Sequence, residues 1–184
     1  MAYTTINKSS EHFNTVTYTG DGTSDRAVTS GFATDFVWIK NRNTTDDHVI
    51  FDKVRGGTKY LYTNATQAES TYSSLDLTFE STGVDVGSYT TINNNGSNIV
   101  SWHWKANGTG SANTDGSISS TVSVNTTAGF SIVTVSKPNT SVATIGHGLG
   151  VTPKFIIGKD LDGVDNWTCY NEALGNGKGI YLNA

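Results

Sequence analysis

The sequence predicts an all-β protein whose strands form an antiparallel β-sandwich or jelly roll. Three observations support this fold class: short segments rich in β-branched and aromatic residues, turns rich in Gly, Asn and Asp between them, and a spacing of 8–15 residues between successive segments. Pro occurs only twice, and no strong helical period separates the segments. This pattern favours a sandwich over a βαβ fold, in which helices connect parallel strands.

Several of the predicted strands alternate with period two, which is typical of a strand with two different faces. In chain order they are FVWIK (36–40), HVIFD (48–52), KYLYTN (59–64), SLDLTFE (74–80), NIVSWHWKA (98–106), GSISSTVSV (116–124) and GFSIVTVS (129–136). The best helix candidate is TQAEST (66–71), with one or two turns. The side chains that we predict to face the interior are Phe36, Trp38, Phe51, Leu61, Phe79, Val100, Trp102, Trp104, Ile132, Phe155 and Ile157.

One strand sequence occurs twice in similar form: DFVWIKN (35–41) matches KFIIGKD (154–160), 119 positions later. The other residues matched at this offset are Gly31 and Gly150, Asp46 and Asp165, Gly56 and Gly175, Lys59 and Lys178, Tyr62 and Tyr181, and Asn64 and Asn183. Upstream the offset becomes 117, so that FNTVTY (13–18) matches FSIVTV (130–135). A shared offset from residue 31 to residue 64 indicates an internal duplication.

The duplication predicts four parts: an N-terminal arm at 1–12, a first sandwich unit at 13–107, a linker at 108–117, and a second, truncated unit at 118–184. The second copy lacks counterparts of LDLTFE and IVSWHWKA, and a sandwich without those strands would leave an apolar face and strand edges open. We therefore expect either that the natural chain continues past Ala184, or that the first unit or a neighbouring subunit supplies the missing strands.

Composition excludes several classes of protein. A net charge of -4, with no cluster of Lys or Arg, gives no surface for binding nucleic acid. A single cysteine, Cys169, excludes an internal disulfide and argues against a structural zinc site, so we interpret it as a small buried residue. The N-terminus does not resemble a secretory signal, and no apolar run reaches the ~18 residues of a membrane span, so no membrane insertion is expected.

Aromatic residues in SWHWK suggest either a core or a sugar-stacking surface. Trp102 and Trp104 alternate with His103, which places both indoles on one face of a strand. We predict that the indoles lie in the core and that His103 is an ordinary surface or interface residue. Trp38 and Trp167 are likewise interpreted as packing residues.

Two kinds of loop could bind small ions. Asp160, Asp162 and Asp165 could begin a calcium loop, but their spacing does not fit an EF-hand, and a turn containing Asp-Gly explains them without metal. The glycine-rich stretches GDG (20–22) and GHGLG (146–150) do not open a helix followed by Lys-Ser/Thr, so we interpret them as tight loops between strands.

An enzyme is not predicted. A glycosidase needs two carboxylates on either side of one bond, and Glu69 and Glu80 are the only such pair near structured segments of one unit. Nothing in the sequence fixes their separation, and no nucleophile elbow is present. We therefore assign no catalytic, cofactor-binding or metal-binding residue, and no cofactor.

Seven stretches resemble virion structural proteins of tailed phages, especially marine phages and cyanophages. They are MAYTTINKSSEHFNT, YTGDG, GFATDFVWIKNR, DKVRGGTKYL, SWHWKANGT, NTDGSISSTVSVNTTAGFSIVT and GHGLGVTPKFIIGKD. The resemblance implies tandem concanavalin A-like or jelly-roll units, as in tail fibres and other appendages, in a virion assembled in the cytoplasm of a bacterial host. It also implies partners among other virion proteins, and self-association with a trimer favoured.

Three functions follow, in decreasing order of support. The first is a phage structural protein in a tail fibre, tail-associated or capsid-decorating position, which works through protein contacts and possible host attachment. The second is a carbohydrate-binding module that recognises a glycan on the host surface. The third is a polysaccharide depolymerase.

Overall fold

The computed structural model describes residues 6–71, 77–136 and 142–184. This part of the chain is nearly all β, and every pair of named strands is antiparallel, which confirms the predicted all-β sandwich. The strands are β1 (Phe13–Thr19), β2 (Arg26–Thr29), β3 (Phe36–Asn41), β4 (Val49–Asp52), β5 (Lys59–Tyr62), β6 (Ser70–Thr71), β7 (Thr78–Glu80), β8 (Gly83–Val86), β9 (Asn98–Trp104), β10 (Ser111–Asn113), β11 (Ser120–Asn125), β12 (Phe130–Val135), β13 (Phe155–Gly158), β14 (Thr168–Asn171) and β15 (Ile180–Tyr181). The helical elements of the described ranges are α1 (Thr90–Asn93) and two 3₁₀ turns at Ser9–Glu11 and Glu172–Leu174.

Two sheets enclose the core of the first half of the chain, and we call them together the first sandwich. One sheet has six strands in the order β1-β9-β3-β4-β5-β6, and the other has three in the order β2-β8-β7. The buried side chains between them are Val28, Val37, Ile39, Val49, Phe51, Leu77, Val84, Val86, Ile92 and Ile99. Because both sheets contribute to this cluster, removing apolar surface from water holds them face to face.

The predicted inner face of β3 and β9 is wrong. Residues predicted to face the core that instead lie half-buried on the opposite, outer face are Phe36, Trp38, Val100, Trp102 and Trp104. Both faces of these strands carry apolar side chains. The period of two therefore shows which residues share a face, but it does not show which of the two faces points toward the core. The space between the sheets takes the smaller set, which includes Val37, Ile39 and Ile99.

His103 is the second correction, because it is fully buried rather than on the surface. Its two ring nitrogens lie within hydrogen-bonding distance of hydroxyl oxygens, with Nδ1 3.1 Å from Thr34 Oγ1 and Nε2 2.8 Å from Ser101 Oγ. A buried polar group is tolerated when its hydrogen bonds are made, and these two hydroxyls meet that condition.

The other predicted interior residues divide into three groups. Phe51 lies in the core as predicted, and Phe79 packs against that core while remaining half-buried. Leu61 is buried, but in a separate cluster on the outer face, and Ile132 is buried in the second half of the chain. The prediction is wrong for two residues, since Phe155 and Ile157 are exposed, as described below.

The predicted helix at 66–71 is also wrong. Ser70–Thr71 forms strand β6, which pairs with β5, and the preceding residues of the segment are not helical. Glu69 forms ion pairs with Arg55 and Lys59, so tertiary contacts determine the path of a segment whose helix propensity is weak. In the predicted strand SLDLTFE, Thr78–Glu80 forms β7, and residues 74–76 lie outside the described residues.

The second half of the chain forms two further sheets, β10-β11-β12 and β13-β14-β15. Strand β10 lies inside the segment predicted as a linker and pairs with β11. The sheet of β13, β14 and β15 repeats the pairing of β3, β4 and β5, since every paired residue lies 119 positions after its first-copy counterpart. For example, Phe36 lies opposite Asp52, and Phe155 lies opposite Asn171.

Candidate functional site

The sheet of β13, β14 and β15, which we call the exposed sheet, presents apolar side chains to solvent on both faces. Ile156 is 48% exposed, whereas Val37, its counterpart in the first copy, is completely buried. The other apolar side chains exposed on its two outer strands are Phe155, Ile157, Ile180 and Tyr181. A contiguous apolar surface of this kind marks a site of contact with another macromolecule more often than a packing defect.

One edge of the exposed sheet is free in the described part of the chain. Strand β13 pairs with β14 alone, whereas β3 pairs with both β4 and β9. An unpaired edge presents backbone N–H and C=O groups that can bind a further strand. The exposed sheet therefore combines an open edge with apolar faces.

The local contacts that shape this sheet are the same in both copies. Lys40 Nζ donates to two carbonyl oxygens of the loop after β3, and Lys159 Nζ donates to the two equivalent carbonyl oxygens after β13. Asn64 Oδ1 accepts from the backbone N–H before β4 at 2.8 Å, and Asn183 Oδ1 does so before β14 at 2.9 Å. The second copy thus keeps the loop chemistry that orders the first, although its strands are less covered.

The turn that follows β4 also recurs after β14. Gly56 has a φ of +95°, and its counterpart Gly175 has a φ of +78°. A side chain at either position would be strained in this left-handed conformation, which glycine adopts readily. The matched glycines explain why the two copies turn at the same point of the repeat.

Trp167 connects the exposed sheet to the first sandwich. Its indole is buried, packs against Ile50 and Leu61, and donates from Nε1 to the backbone oxygen of Tyr62 at 2.8 Å. The backbone N–H of Glu69 donates to Leu161 O at 2.7 Å nearby. These contacts fix the exposed sheet against one part of the outer face and agree with the packing role predicted for Trp167.

Strand β12 covers another part of that outer face. The ring centroid of Phe130 lies 6.1 Å from that of Trp104, with nearly parallel planes, and 6.0 Å from that of Phe36. On the same face, Trp38 and Trp102 form an edge-to-face pair at 6.2 Å. The predicted packing role of Trp38 and of the SWHWK indoles therefore applies at a junction between the two halves of the chain rather than inside the first sandwich.

Glu69, one of the two acids weighed for a glycosidase, is held in structural ion pairs. Glu69 lies within 3.0 Å of Arg55 and 3.1 Å of Lys59, and Arg55 also binds Asp52. Arg55 and Lys59 therefore hold the Glu69 carboxylate in a network of structural ion pairs. Glu80 lies on β7, in the other sheet of the first sandwich.

The aspartates weighed for calcium form a turn. Asp160 Oδ1 accepts from the backbone N–H of Asp162 at 3.0 Å, as Asn41 Oδ1 accepts from Asn43 in the first copy. Among the described residues, no group of three or more His, Cys, Asp or Glu side chains is arranged to hold a metal ion. The shared turn geometry shows that this loop folds in the same way whether an aspartate or an asparagine begins it.

The glycine-rich stretches are loops, as predicted. In the first, Asp21 Oδ1 accepts from both the backbone and the hydroxyl of Thr23, and Arg26 donates to Asp21 Oδ2. These hydrogen bonds hold the pKa of Asp21 well below its usual range. In the second, His147 O accepts from Ser131 Oγ at 2.7 Å, which connects this loop to β12.

Two other titratable groups are buried. Burial lowers the pKa of His103 to about 4, so the ring is neutral at physiological pH. Cys169 lies buried on β14, as predicted, and burial raises the pKa of its thiol. Neither group is placed to contact a substrate from solvent.

No helix in the described ranges is both long and apolar enough to cross a membrane.

Comparison with known proteins identifies a family for this chain. No curated protein and no solved structure is significantly similar to the chain. Residues 8–184 match the family described as Domain of unknown function (DUF7483), and because the match covers nearly the whole chain, this protein belongs to that family.

Proposed function

We propose that this protein is a structural component of a tailed-phage virion, in a tail fibre, tail-associated or capsid-decorating position, and that it acts through contacts with other proteins. The exposed sheet carries this proposal, because it joins open apolar faces to an open strand edge. Glu69 is engaged in ion pairs, Asp160 in a turn and His103 in buried hydrogen bonds, and we propose no catalytic step for these three residues.

Immunogold electron microscopy of purified particles tests the location. Antibodies raised against the recombinant chain should label intact particles at a fixed position, and antibodies against a known head protein serve as a positive control. A failure to label particles, together with the absence of the chain from their peptide mass spectra, would contradict the proposal.

The proposal includes self-association, with a trimer favoured from the resemblance to appendage proteins. The chain has a formal net charge of only -4, so copies can approach closely without strong repulsion. Sedimentation velocity at micromolar concentration should show a species of three times 19.6 kDa. A single 19.6 kDa species at every concentration would contradict self-association of the isolated chain.

A glycan-binding role is the second candidate, and one observation favours it. Phe13 is 37% exposed at the edge of the aromatic outer face, with its ring centroid 4.8 Å from that of Trp104. Sugar rings stack on exposed aromatic faces of this kind. A glycan array should show binding that the Phe13→Ala variant loses, whereas equal binding by both proteins would contradict this role for the surface.

A further inference from the structure

We infer that the free edge of β13 accepts an extended strand from a partner polypeptide, with aromatic side chains at alternate positions. The inference rests on the proposed function only in taking the partner to be a protein. It starts from the first copy, where β9 occupies the equivalent edge of β3 with six paired residues, from Phe36 opposite Trp104 to Asn41 opposite Ile99. Strand β9 therefore shows what such an edge binds.

The backbone of β13 is oriented to bind a strand. Lys154 O accepts from Glu172 N, so the residues that follow at every second position direct their N–H and C=O groups toward β14. The intervening residues, Phe155 and Ile157, direct theirs toward the free edge. In the first copy, strands occupy both edges of β3. Asp35 O accepts from Lys53 N on the side of β4, and Arg42 N donates to Asn98 O on the side of β9.

The side chains of β13 specify aromatic residues in the partner strand. In the first copy, Phe36 meets Trp104 edge to face at 5.3 Å, and Trp38 meets Trp102 at 6.2 Å. The counterparts Phe155 and Ile157 lie on the matching face and are 50% and 42% exposed. Aromatic rings at two alternate positions of an added strand would cover both of these side chains.

The charged pair at the end of the edge is exchanged between the two copies. In the first copy, Asp35 Oδ1 lies 4.0 Å from Lys53 Nζ, and Asp35 Oδ2 accepts from the backbone N–H of Ala106, just beyond β9. In the second copy, Lys154 replaces Asp35 and forms an ion pair with Glu172, which replaces Lys53. Because Lys154 already has an acidic partner, this end of the edge specifies no charge in the added strand, and the aromatic positions determine which strand fits.

The pairing of β9 argues against a second copy of this chain as the donor of that strand. Donation would remove β9 from between β1 and β3, where it pairs with both. Because the proposed function acts through contacts with other proteins, we take the donor to be a different polypeptide, in the manner of strand addition to an open sheet.

Peptide binding to the full chain tests the inference. The probes are a synthetic peptide of residues 97–106 and the same peptide with Trp102→Ser and Trp104→Ser, measured by fluorescence anisotropy. We expect the unchanged peptide to bind about tenfold more tightly than the serine peptide, because its two rings cover Phe155 and Ile157. Hydrogen exchange of the complex should show new protection at the amides of Phe155 and Ile157.

Two variants separate edge binding from apolar adhesion. Ile157→Pro removes an N–H that points to the free edge but is not needed for pairing with β14, so peptide affinity should fall at least about tenfold. Ile157→Val keeps the N–H and should leave the affinity unchanged. If Ile157→Pro alters the circular dichroism spectrum, the exchange measurement on the unsubstituted chain decides instead.

Several outcomes would overturn the inference. They are no binding, equal binding of a scrambled peptide, and protection elsewhere than at β13. Protection of the same amides by raising the protein concentration alone would make a second copy the occupant. If antibodies label the particles but the chain binds neither peptide, the proposed function stands without this strand site. If the chain binds peptide but the particles are not labelled, the strand site stands and the proposed function is contradicted.

Discussion

Several polar side chains are buried in this protein where the fold supplies their hydrogen bonds. His103 is fully buried between the hydroxyls of Thr34 and Ser101, and Asp35 accepts a backbone hydrogen bond while being almost completely buried. Asn93, also fully buried, donates from Nδ2 to Asp21 and Thr23. Stability should therefore depend on conditions that change the protonation of His103.

The first prediction concerns His103 and pH. Its pKa is about 4 in the folded chain and near 6.5 when unfolded, so between these values the unfolded state binds more protons and stability rises with pH. Stability should thus fall by up to about 3 kcal/mol as pH decreases from about 7 to 4. Chemical denaturation across this range measures the slope.

His103→Gln should remove most of that slope, even if it lowers stability overall. His48→Gln is the control, since burial also lowers the pKa of His48, but that residue is only partly buried. It should remove a smaller part of the slope. An unchanged slope in His103→Gln would show that other groups cause the pH dependence.

The second prediction compares one ring inside the first sandwich with one on its outer face. Phe51→Ala should lower the free energy of unfolding by about 3–5 kcal/mol, because it leaves a cavity in the core. Trp102→Ala removes a larger side chain but one that is half-buried, so its cost should be smaller, at about 1–3 kcal/mol. Urea denaturation of both variants measures the difference, and a larger loss for Trp102→Ala would contradict the assignment of faces.

The sequence predicts the positions of strands and loops more accurately than it predicts which face of a strand points toward the core. Turn residues and β-branched segments locate most strands to within a few residues, as for FVWIK, which is found as Phe36–Asn41. Sequence reasoning also finds the repeat, since loop contacts such as those of Lys40 and Lys159 depend on local residues. The burial of His103 and the outward placement of Trp102 depend on contacts between distant strands, which local spacing does not specify.

The candidate site was predicted only in part. Sequence comparison of the two copies indicates that counterparts of β7 and β9 are missing from the second, and this signal leads to the open edge. The exposure of Phe155 and Ile157 was not predicted, because both belong to an alternating pattern that reads as a buried strand. The junction through Trp167 was missed as well, since no sequence pattern pairs it with Tyr62.

The third prediction concerns that junction. Trp167→Phe keeps most of the buried ring but removes the hydrogen bond to Tyr62 O, so it should destabilise the attachment of the exposed sheet by about 1 kcal/mol. Hydrogen exchange should become faster in residues 155–183 and remain unchanged in β3 and β9. Tyr170→Phe, on the same sheet, is the control and should leave both regions unchanged; equal acceleration across the chain would contradict a local junction.

The molecule as a whole contains two copies of one strand arrangement in different states of burial. In the first copy a second sheet and β9 cover the strands, and Val37 is completely buried. In the second copy the matching residue, Ile156, is about half exposed although its sheet has the same register. The chain therefore provides its own matched control for the effect of covering a sheet.

The fourth prediction uses that control. Val37→Thr should lower stability by about 1–3 kcal/mol, because it buries a hydroxyl in the core. Ile156→Thr should change stability by less than about 0.5 kcal/mol, since the side chain already contacts water. It should also reduce the fluorescence of an apolar dye bound to the folded chain. Equal losses of stability in the two variants would mean that the exposed sheet is covered in solution.

The position of β9 between β1 and β3 also has a consequence for protein synthesis. Ser101 donates to Val16 O, 85 positions earlier, so the six-stranded sheet cannot close until β9 has left the ribosome. At about 5–20 residues per second, the roughly 60 residues between β3 and β9 take roughly 3–12 s to translate. During that interval β3 has the same open edge that β13 retains. Slow codons between residues 42 and 97 should therefore lower the soluble yield in cells, whereas the same codons after residue 106 should not.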